Sequence, residues 1–145
     1  MCLAATPALQ TYVNGRFGYR VDYPAALLQP QPEAENGDGR WFYSKDKSFG
    51  MAVWGGFNAL EHTVAQECDW SIANTGKKQP FKAMYKVVKD GWYVYSGLAG
   101  GQIIYEKGML KNDVFVKLRL EYSNAEKGKW DEVVKTVTAS LRPAD

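Results

Sequence analysis

The chain is poor in the residues that most enzymes use for covalent or metal chemistry. Its 145 residues include one histidine and two cysteines. A histidine-based site needs a nucleophile and a third, orienting group. His62 has neither among its sequence neighbours, and Cys68 points about 120° away from it round a helix. Cys2 and Cys68 make no disulfide framework or zinc spacing, so Cys68 reads as a small core residue. Lysine and arginine number 18 against 16 carboxylates, a net charge of +2 with signs interspersed, so there is no basic stripe for nucleic acid. No apolar run reaches the length of a membrane span. No repeat, low-complexity tract or domain linker is present.

Glycine-rich segments offer little for a cofactor, and none is expected. Gly55-Gly56-Phe57-Asn58 lacks the Lys-Ser/Thr of a phosphate loop and the third glycine of a dinucleotide fingerprint. Ala99-Gly100-Gly101 leads into a strand rather than a helix. Carboxylates are plentiful but poorly placed for acid–base work. Glu121 and Glu126 lie beside Lys127 and Lys129, which favours ion pairs, and Asp38 and Asp46 have no calcium-loop spacing.

What the chain does have is period. With 46% apolar residues it can fill one core. Its 9 tyrosines, 6 phenylalanines and 5 tryptophans are expected mainly to pack sheet against helix. Val114, Val116, Leu118, Leu120 and Tyr122 alternate with Phe115, Lys117, Arg119 and Glu121, the pattern of a strand covered on one side. Trp130, Val133, Val134, Val137 and Leu141 then form a helical stripe, whose natural seat is that strand's apolar face. Upstream, Asn14-Gly15 predicts a hairpin joining Thr11–Val13 to Arg16–Tyr23, with Phe17, Tyr19, Val21 and Tyr23 on one side. Gln29–Gly39 is a loop by composition, and Arg40–Ser44 with Ser48–Trp54 a second hairpin.

A first helix is expected from Asn58 as N-cap, with Glu61 completing a capping box. It carries Leu60, Val64, Cys68 and Ile72 inward and ends at Gly76. Asp90-Gly91, Ala99-Gly100-Gly101 and Asn112-Asp113 punctuate a four-strand meander from Pro80 to Tyr122. The fold expected is α+β: a central antiparallel β-sheet flanked by two main helices, placed on opposite faces because Met84, Val88 and Val94 make the second face apolar too. Residues 1–10 would be a tether and 11–145 a single domain.

Strand alternation puts the turns at Asp90-Gly91 and Asn112-Asp113 at one end of the sheet. Lys45–Lys47, Thr75–Gln79, Gly97–Gln102 and Ser123–Lys129 collect at the other. The second end has longer loops with charges of both signs, the usual place for binding residues on a rigid scaffold. Asp46, Lys77, Gly100, Gly101, Gln102, Asn124, Glu126 and Lys127 are therefore the candidate partner-binding residues. At the N-terminus, Met1-Cys2-Leu3-Ala4-Ala5 has no basic region and no apolar signal core. Cys2 is where a bacterial lipoprotein would carry its lipid, with the polar spacer to Thr11 holding the domain just off a membrane.

Gly18-Tyr19-Arg20-Val21-Asp22-Tyr23-Pro24 resembles the opening aromatic–x–aliphatic–x–aromatic–Pro strand of the PsbP/Mog1-like fold family. The likeness continues through Gly101–Lys107, Val116–Tyr122 and Trp130–Leu141, closing on Ser140-Leu141-Arg142-Pro143. It implies an α/β/α sandwich that serves as a protein-binding module or assembly factor, and it carries over no catalytic residue. Within that family the chain is similar to the periplasmic lipoprotein immunity partners of type VI-secreted muramidases. That similarity implies a non-enzymatic inhibitor of a cell-wall-cleaving effector, located in the periplasm. The alternative is a periplasmic carrier or assembly factor for a small ligand or membrane complex, for which a closed pocket lined by Trp92, Tyr95 and Tyr105 is the expected mark. A hydrolase using carboxylates alone is a third reading, and would need a carboxylate pair of raised pKa in a cleft.

Overall fold

A computed structural model describes residues 8–144; Cys2 and the rest of residues 1–7 lie outside it, as does Asp145. Strands β1 (Leu9–Asn14) and β2 (Tyr19–Pro24) form the first hairpin. The short β3 (Gln29–Pro30) precedes β4 (Gly39–Tyr43) and β5 (Phe49–Phe57). Helix α1 (Val64–Lys78) separates these from the meander β6 (Lys82–Lys89), β7 (Trp92–Ala99), β8 (Gln102–Lys111) and β9 (Val114–Ser123). A 3-10 turn (Asn124–Glu126), helix α2 (Lys127–Ser140) and β10 (Arg142–Pro143) complete the chain.

Among the described residues the strands make two antiparallel sheets. A seven-stranded sheet runs β3-β4-β5-β9-β8-β7-β6, and a three-stranded one runs β1-β2-β10. Pairing of β9 with both β5 and β8 places it centrally, with Leu118 opposite Val53 and Lys107. The small sheet and α2 pack on one face of the large sheet. There Tyr19, Val21, Phe42, Met51, Val53, Leu118, Leu120, Trp130, Val134, Val137 and Leu141 form one buried cluster. The seam is tied polarly where Ser140 Oγ accepts the Asp22 amide at 2.8 Å and Arg142 pairs with Asp22 at 3.2 Å. Helix α1 packs on the opposite face over β6, β7 and β8. The fold class and the opposite-face helices are as expected.

Four local expectations are corrected. The first hairpin pairs Asn14 with Tyr19, so its connection is the four residues Gly15–Gly18, not a two-residue turn. Gly18 sits at φ +66°, and buried Asn14 closes the loop by accepting the Phe17 amide at 2.8 Å. Next, β5 does not end at Gly55-Gly56; its pairing with β9 runs on to Phe57–Val114. That delays α1, whose N-cap is Thr63 with a full capping box from Gln66. Asn58 serves the preceding loop instead, bonding the His62 amide and carbonyl at 2.9 Å each. Leu60 is accordingly 60% exposed rather than in the core. Helix α1 also passes through Gly76 and stops at Gln79, which is extended. Finally, β1 takes in Leu9 and Gln10, the last two residues of the expected tether.

The reason given for opposite-face helices also fails in detail. Met84 and Val88 on the edge strand are 64% and 38% exposed, whereas Tyr93 and Tyr95 are what Cys68, Val64, Ile72 and Phe81 pack against.

Candidate functional site

The two ends of the sheet divide the turns as the alternation requires. At one end the Leu110 amide bonds the Gly91 carbonyl at 2.9 Å, joining the β6–β7 and β8–β9 turns. Asn112 and Asp113 hold consecutive left-handed conformations there, at φ 52° and 64°, a tight turn with little side-chain reach. At the other end the Asn124 amide bonds the Gly101 carbonyl at 2.8 Å, and Gln102 pairs with Ser123. Gly100, Gly101, Gln102 and Asn124 are thus one knot of backbone, with Gly100 at φ +60° making the turn.

The remaining residues of that rim are held by short polar contacts. Asp46 Oδ1 accepts from the Ser48 amide at 3.0 Å and from the Ser48 and Ser44 hydroxyls at 2.7 and 2.9 Å. Those bonds, led by the Ser48 amide, hold its carboxyl down at about 2, with the Lys129 charge adding to the effect. Glu126 Oε2 pairs with Lys129 Nζ at 3.5 Å, and Lys127 pairs with Asp131 at 3.1 Å. Lys129 Nζ in turn sits 5.0 Å from the ring centre of buried Trp130. Asp46, Glu126 and Lys127 therefore share one rim with the Gly100–Asn124 knot. Lys77 reaches the same end but belongs to the last turn of α1, on the opposite face of the sheet.

The face under α1 holds a second polar assembly, which the period-two reading of β9 assigned to solvent. Lys117 and Phe115 are buried, and Arg119 nearly so. Lys117 Nζ bonds Glu67 Oε2 at 2.6 Å, and His62 Nδ1 lies 2.8 Å from Glu67 Oε1, which ties His62 to α1. Burial raises the Glu67 pKa, but the bonds from Lys117 and His62 outweigh it and leave the carboxyl below its ordinary range. Deeper in, Glu106 accepts from Ser71 Oγ at 2.5 Å and Tyr93 Oη at 2.6 Å, while Arg119 stands 3.6 Å from its other oxygen. Arg119 also donates to Thr75 at 3.0 Å and to Glu121 at 3.1 Å. Tyr95, pushed up to about 12 by burial, lies 3.1 Å from Thr75 Oγ1.

Two patterns in the sequence carry this assembly. Glu67, Ser71 and Thr75 recur every four residues, a polar helical stripe facing the charged alternation of β9. Cys68 lies beside that stripe, its thiol pushed up to about 11 by burial.

Next to this seam a cleft of about 570 Å³ opens between α1 and the β4–β5 hairpin. It exists because β5 alternates large and small. Phe49, Met51 and Val53 fill the core, while Gly50 and Ala52 leave the other face low. Trp41 and Tyr43 stack at 5.4 Å across Gly50, where a Cβ would come 3.0 Å from the Tyr43 ring. Trp54 and Trp70 line the same cleft.

The pocket expected of a carrier does not assemble. Tyr95 faces α1, whereas Trp92 and Tyr105 lie on the other face, in a groove beside α2. A separate apolar hollow of about 310 Å³ is lined by Phe17, Met109, Val116, Leu141 and Pro143.

No protein-family model matches the chain, and no curated protein matches it in sequence. Among solved structures it is similar to the solution structure of cyanobacterial PsbP (CyanoP) from Synechocystis sp. PCC 6803. The TM-score is 0.72 at 13% identity, over 99% of this chain and 97% of that one. The fold is therefore PsbP-like, with two helices on large antiparallel sheets.

Proposed function

We propose that this PsbP-like domain is a non-enzymatic inhibitor that blocks a secreted, cell-wall-cleaving muramidase in the periplasm. The observation that carries the reading is the asymmetry of the two sheet ends. One end is closed by tight turns; the other presents Asp46, Gln102, Asn124, Glu126 and Lys127 on loops cross-linked through the Asn124–Gly101 bond. A surface ordered before contact loses little entropy on binding. In this mechanism the rim enters the glycan groove of the enzyme, and the Glu126 carboxylate meets basic groups that otherwise contact substrate. The fixed Asp46 carboxylate sets a second negative point beside it. A lipid on Cys2 would keep the domain at the membrane surface where the effector arrives.

The test is titration of the purified chain against type VI-secreted muramidases, beginning with any such enzyme found encoded beside its gene. Reversing both charges, Glu126→Lys with Lys127→Glu, is expected to weaken binding at least tenfold, about 1.4 kcal/mol, with the fold intact. Normal binding by that variant, with loss on changing Asp90 and Asn112, would move the surface to the opposite end. The apolar hollow around Phe17 and Leu141 favours a second reading, a carrier of a small apolar ligand. Saturable uptake of a fluorescent fatty acid, with no effect on any muramidase, would support it.

A further inference from the structure

We propose that the cleft between α1 and the β4–β5 hairpin binds a neutral oligosaccharide, independently of the inhibitory rim. Three features of the cleft narrow the ligand. The first is aromatic surface: Trp41, Trp54 and Trp70 line one cleft, and Trp70 is 44% exposed with Lys117 Nζ 5.2 Å from its ring centre. Trp41 is held in place by its stack on Tyr43. Rigid indoles offer large apolar faces at low entropic cost, which suits a ligand with one flat C–H face.

The second feature is charge balance. Lys78, Lys117 and Arg119 line the cleft with Asp38 and Glu121, while Arg40 turns its guanidinium over Tyr12 on the other face of the sheet. Directly behind it, Glu67 takes Lys117, and Glu106 stands against Arg119. The two most buried cations, Lys117 and Arg119, thus already have carboxylate partners. An anionic ligand such as a phosphate or nucleic acid would have to displace those pairs. A cationic ligand would meet Lys78 and compete with Arg119 for Glu121. A neutral polar ligand disturbs none of them.

The third feature is the donor and acceptor set. Asn74 and Gln79 bring amides beside the forked Arg119 and the Glu121 carboxylate, over Ser71 and Thr75 hydroxyls that are already bonded within the seam. Planar groups of this kind bond vicinal hydroxyls in pairs. Apolar faces alternating with such groups match the two-sided chemistry of a pyranose, and a cleft of about 570 Å³ takes a short oligomer. Hydrolysis is not part of the proposal. Glu67 and Glu106, the buried carboxylates behind the cleft, are held in pairs with Lys117 and with Ser71 and Tyr93.

The experiment is titration of the full chain with chitotetraose, followed by tryptophan fluorescence and calorimetry. Cellotetraose serves as a second neutral glycan and a heparin tetrasaccharide as an anionic comparison. Saturable binding of a neutral tetramer is expected, weakened at least tenfold by Trp70→Ala. Trp92→Ala, on the opposite face, should leave it unchanged. Trp70→Ala removes a ring that is 44% exposed, and an unchanged melting temperature separates lost contact from lost fold. Indole N–H resonances of Trp41, Trp54 and Trp70 should shift on titration, and that of Trp92 should not. The proposal is overturned if neither neutral tetramer binds, if only the heparin tetrasaccharide does, or if Trp70→Ala binds like the parent chain. None of these outcomes bears on the rim, because muramidase binding by Trp70→Ala is read separately.

Discussion

The two faces of the seven-stranded sheet are covered by helices of similar length, yet they are built by different physics. Under α2, contact is mainly apolar: Trp130, Val134, Val137 and Leu141 meet Leu118, Leu120 and the strands of the small sheet, with polar ties only at Thr138, Ser140 and Arg142 among the described contacts. Under α1, the apolar cluster is small: Cys68, Tyr93 and Tyr95 with their partly buried neighbours. The rest is Glu67, Ser71 and Thr75 set against Lys117, Glu106 and Arg119. A nonpolar interface tolerates modest repacking, whereas a polar seam holds only while each partner is present. The first face therefore secures the fold, and the second fixes where α1 sits and hence the shape of the cleft beside it.

The sharpest way to break the contrast is to orphan a charge. Glu67→Ala leaves Lys117, 7% exposed at its side chain, with a buried ammonium and no carboxylate. The expected cost is about 3–5 kcal/mol in urea denaturation. Replacing both partners, Glu67→Met with Lys117→Met, should recover most of that loss, since an apolar pair of similar volume is often as stable. Failure of the double variant to recover would mean that α1 depends on the ion pair itself.

On the other face, Leu118→Ala removes a side chain with no exposed surface at the centre of the apolar cluster. About 2–5 kcal/mol is expected from lost burial and the cavity left behind. No second polar-to-apolar change can compensate it, which is the asymmetry between the faces. A cost below about 1 kcal/mol would show that the cluster collapses around the vacancy.

These two faces also differed in how well the sequence announced them. The stripe of α2 and the apolar alternation of β9 obey simple periods, so strand, helix and their contact could all be predicted from spacing. Helix α1 could not be placed so closely, because two capping signals compete. Asn58 with Glu61 and Thr63 with Gln66 are equally good locally, and the extra pairing of β5 out to Phe57 decides for the second. The polar seam was hidden for another reason. Lys117, Arg119 and Glu121 alternate as solvent-facing charges do, and only their match to the Glu67–Ser71–Thr75 stripe places them under a helix. The rim end followed directly from strand alternation, but the cleft depends on small residues in β5, which spacing alone does not mark as a wall.

A pH titration sharpens the contrast with a smaller effect. The folded-state pKa of Glu67 lies below its ordinary value, so its pairing contributes stability above the unfolded pKa. That contribution is lost as pH falls below about 4.3 and on through the lower folded value. Stability of the parent chain should therefore decline through this window, and Glu67→Gln should show a shallower decline. Leu118→Ala should keep the parent slope from a lower starting point. Equal slopes in parent and Glu67→Gln would mean that other carboxylates, such as Asp22 held low by Thr11 and Arg142, govern acid unfolding.

The smallest effect on stability is expected at the rim, and there its smallness carries the meaning. Lys127 and Asp131 form an exposed i,i+4 pair at 3.1 Å, and Lys129 reaches Glu126 at 3.5 Å. Pairs of this kind are screened by water and salt and contribute about 0.3–0.5 kcal/mol each. Glu126→Ala and Lys127→Ala should thus each change unfolding free energy by less than about 0.5 kcal/mol. The backbone that positions them is fixed independently, by the Asn124–Gly101 bond, the Ser123 cap on Ala125 and buried Trp130. Side chains that add so little to folding, yet are held on so firm a base, are free to serve contact with a partner. Denaturation and binding measured on the same variants separate the two roles. Unchanged stability with weakened muramidase binding is the expected pair of results. A stability loss above about 1 kcal/mol would instead make Glu126 and Lys127 part of the structure of the α2 N-terminus.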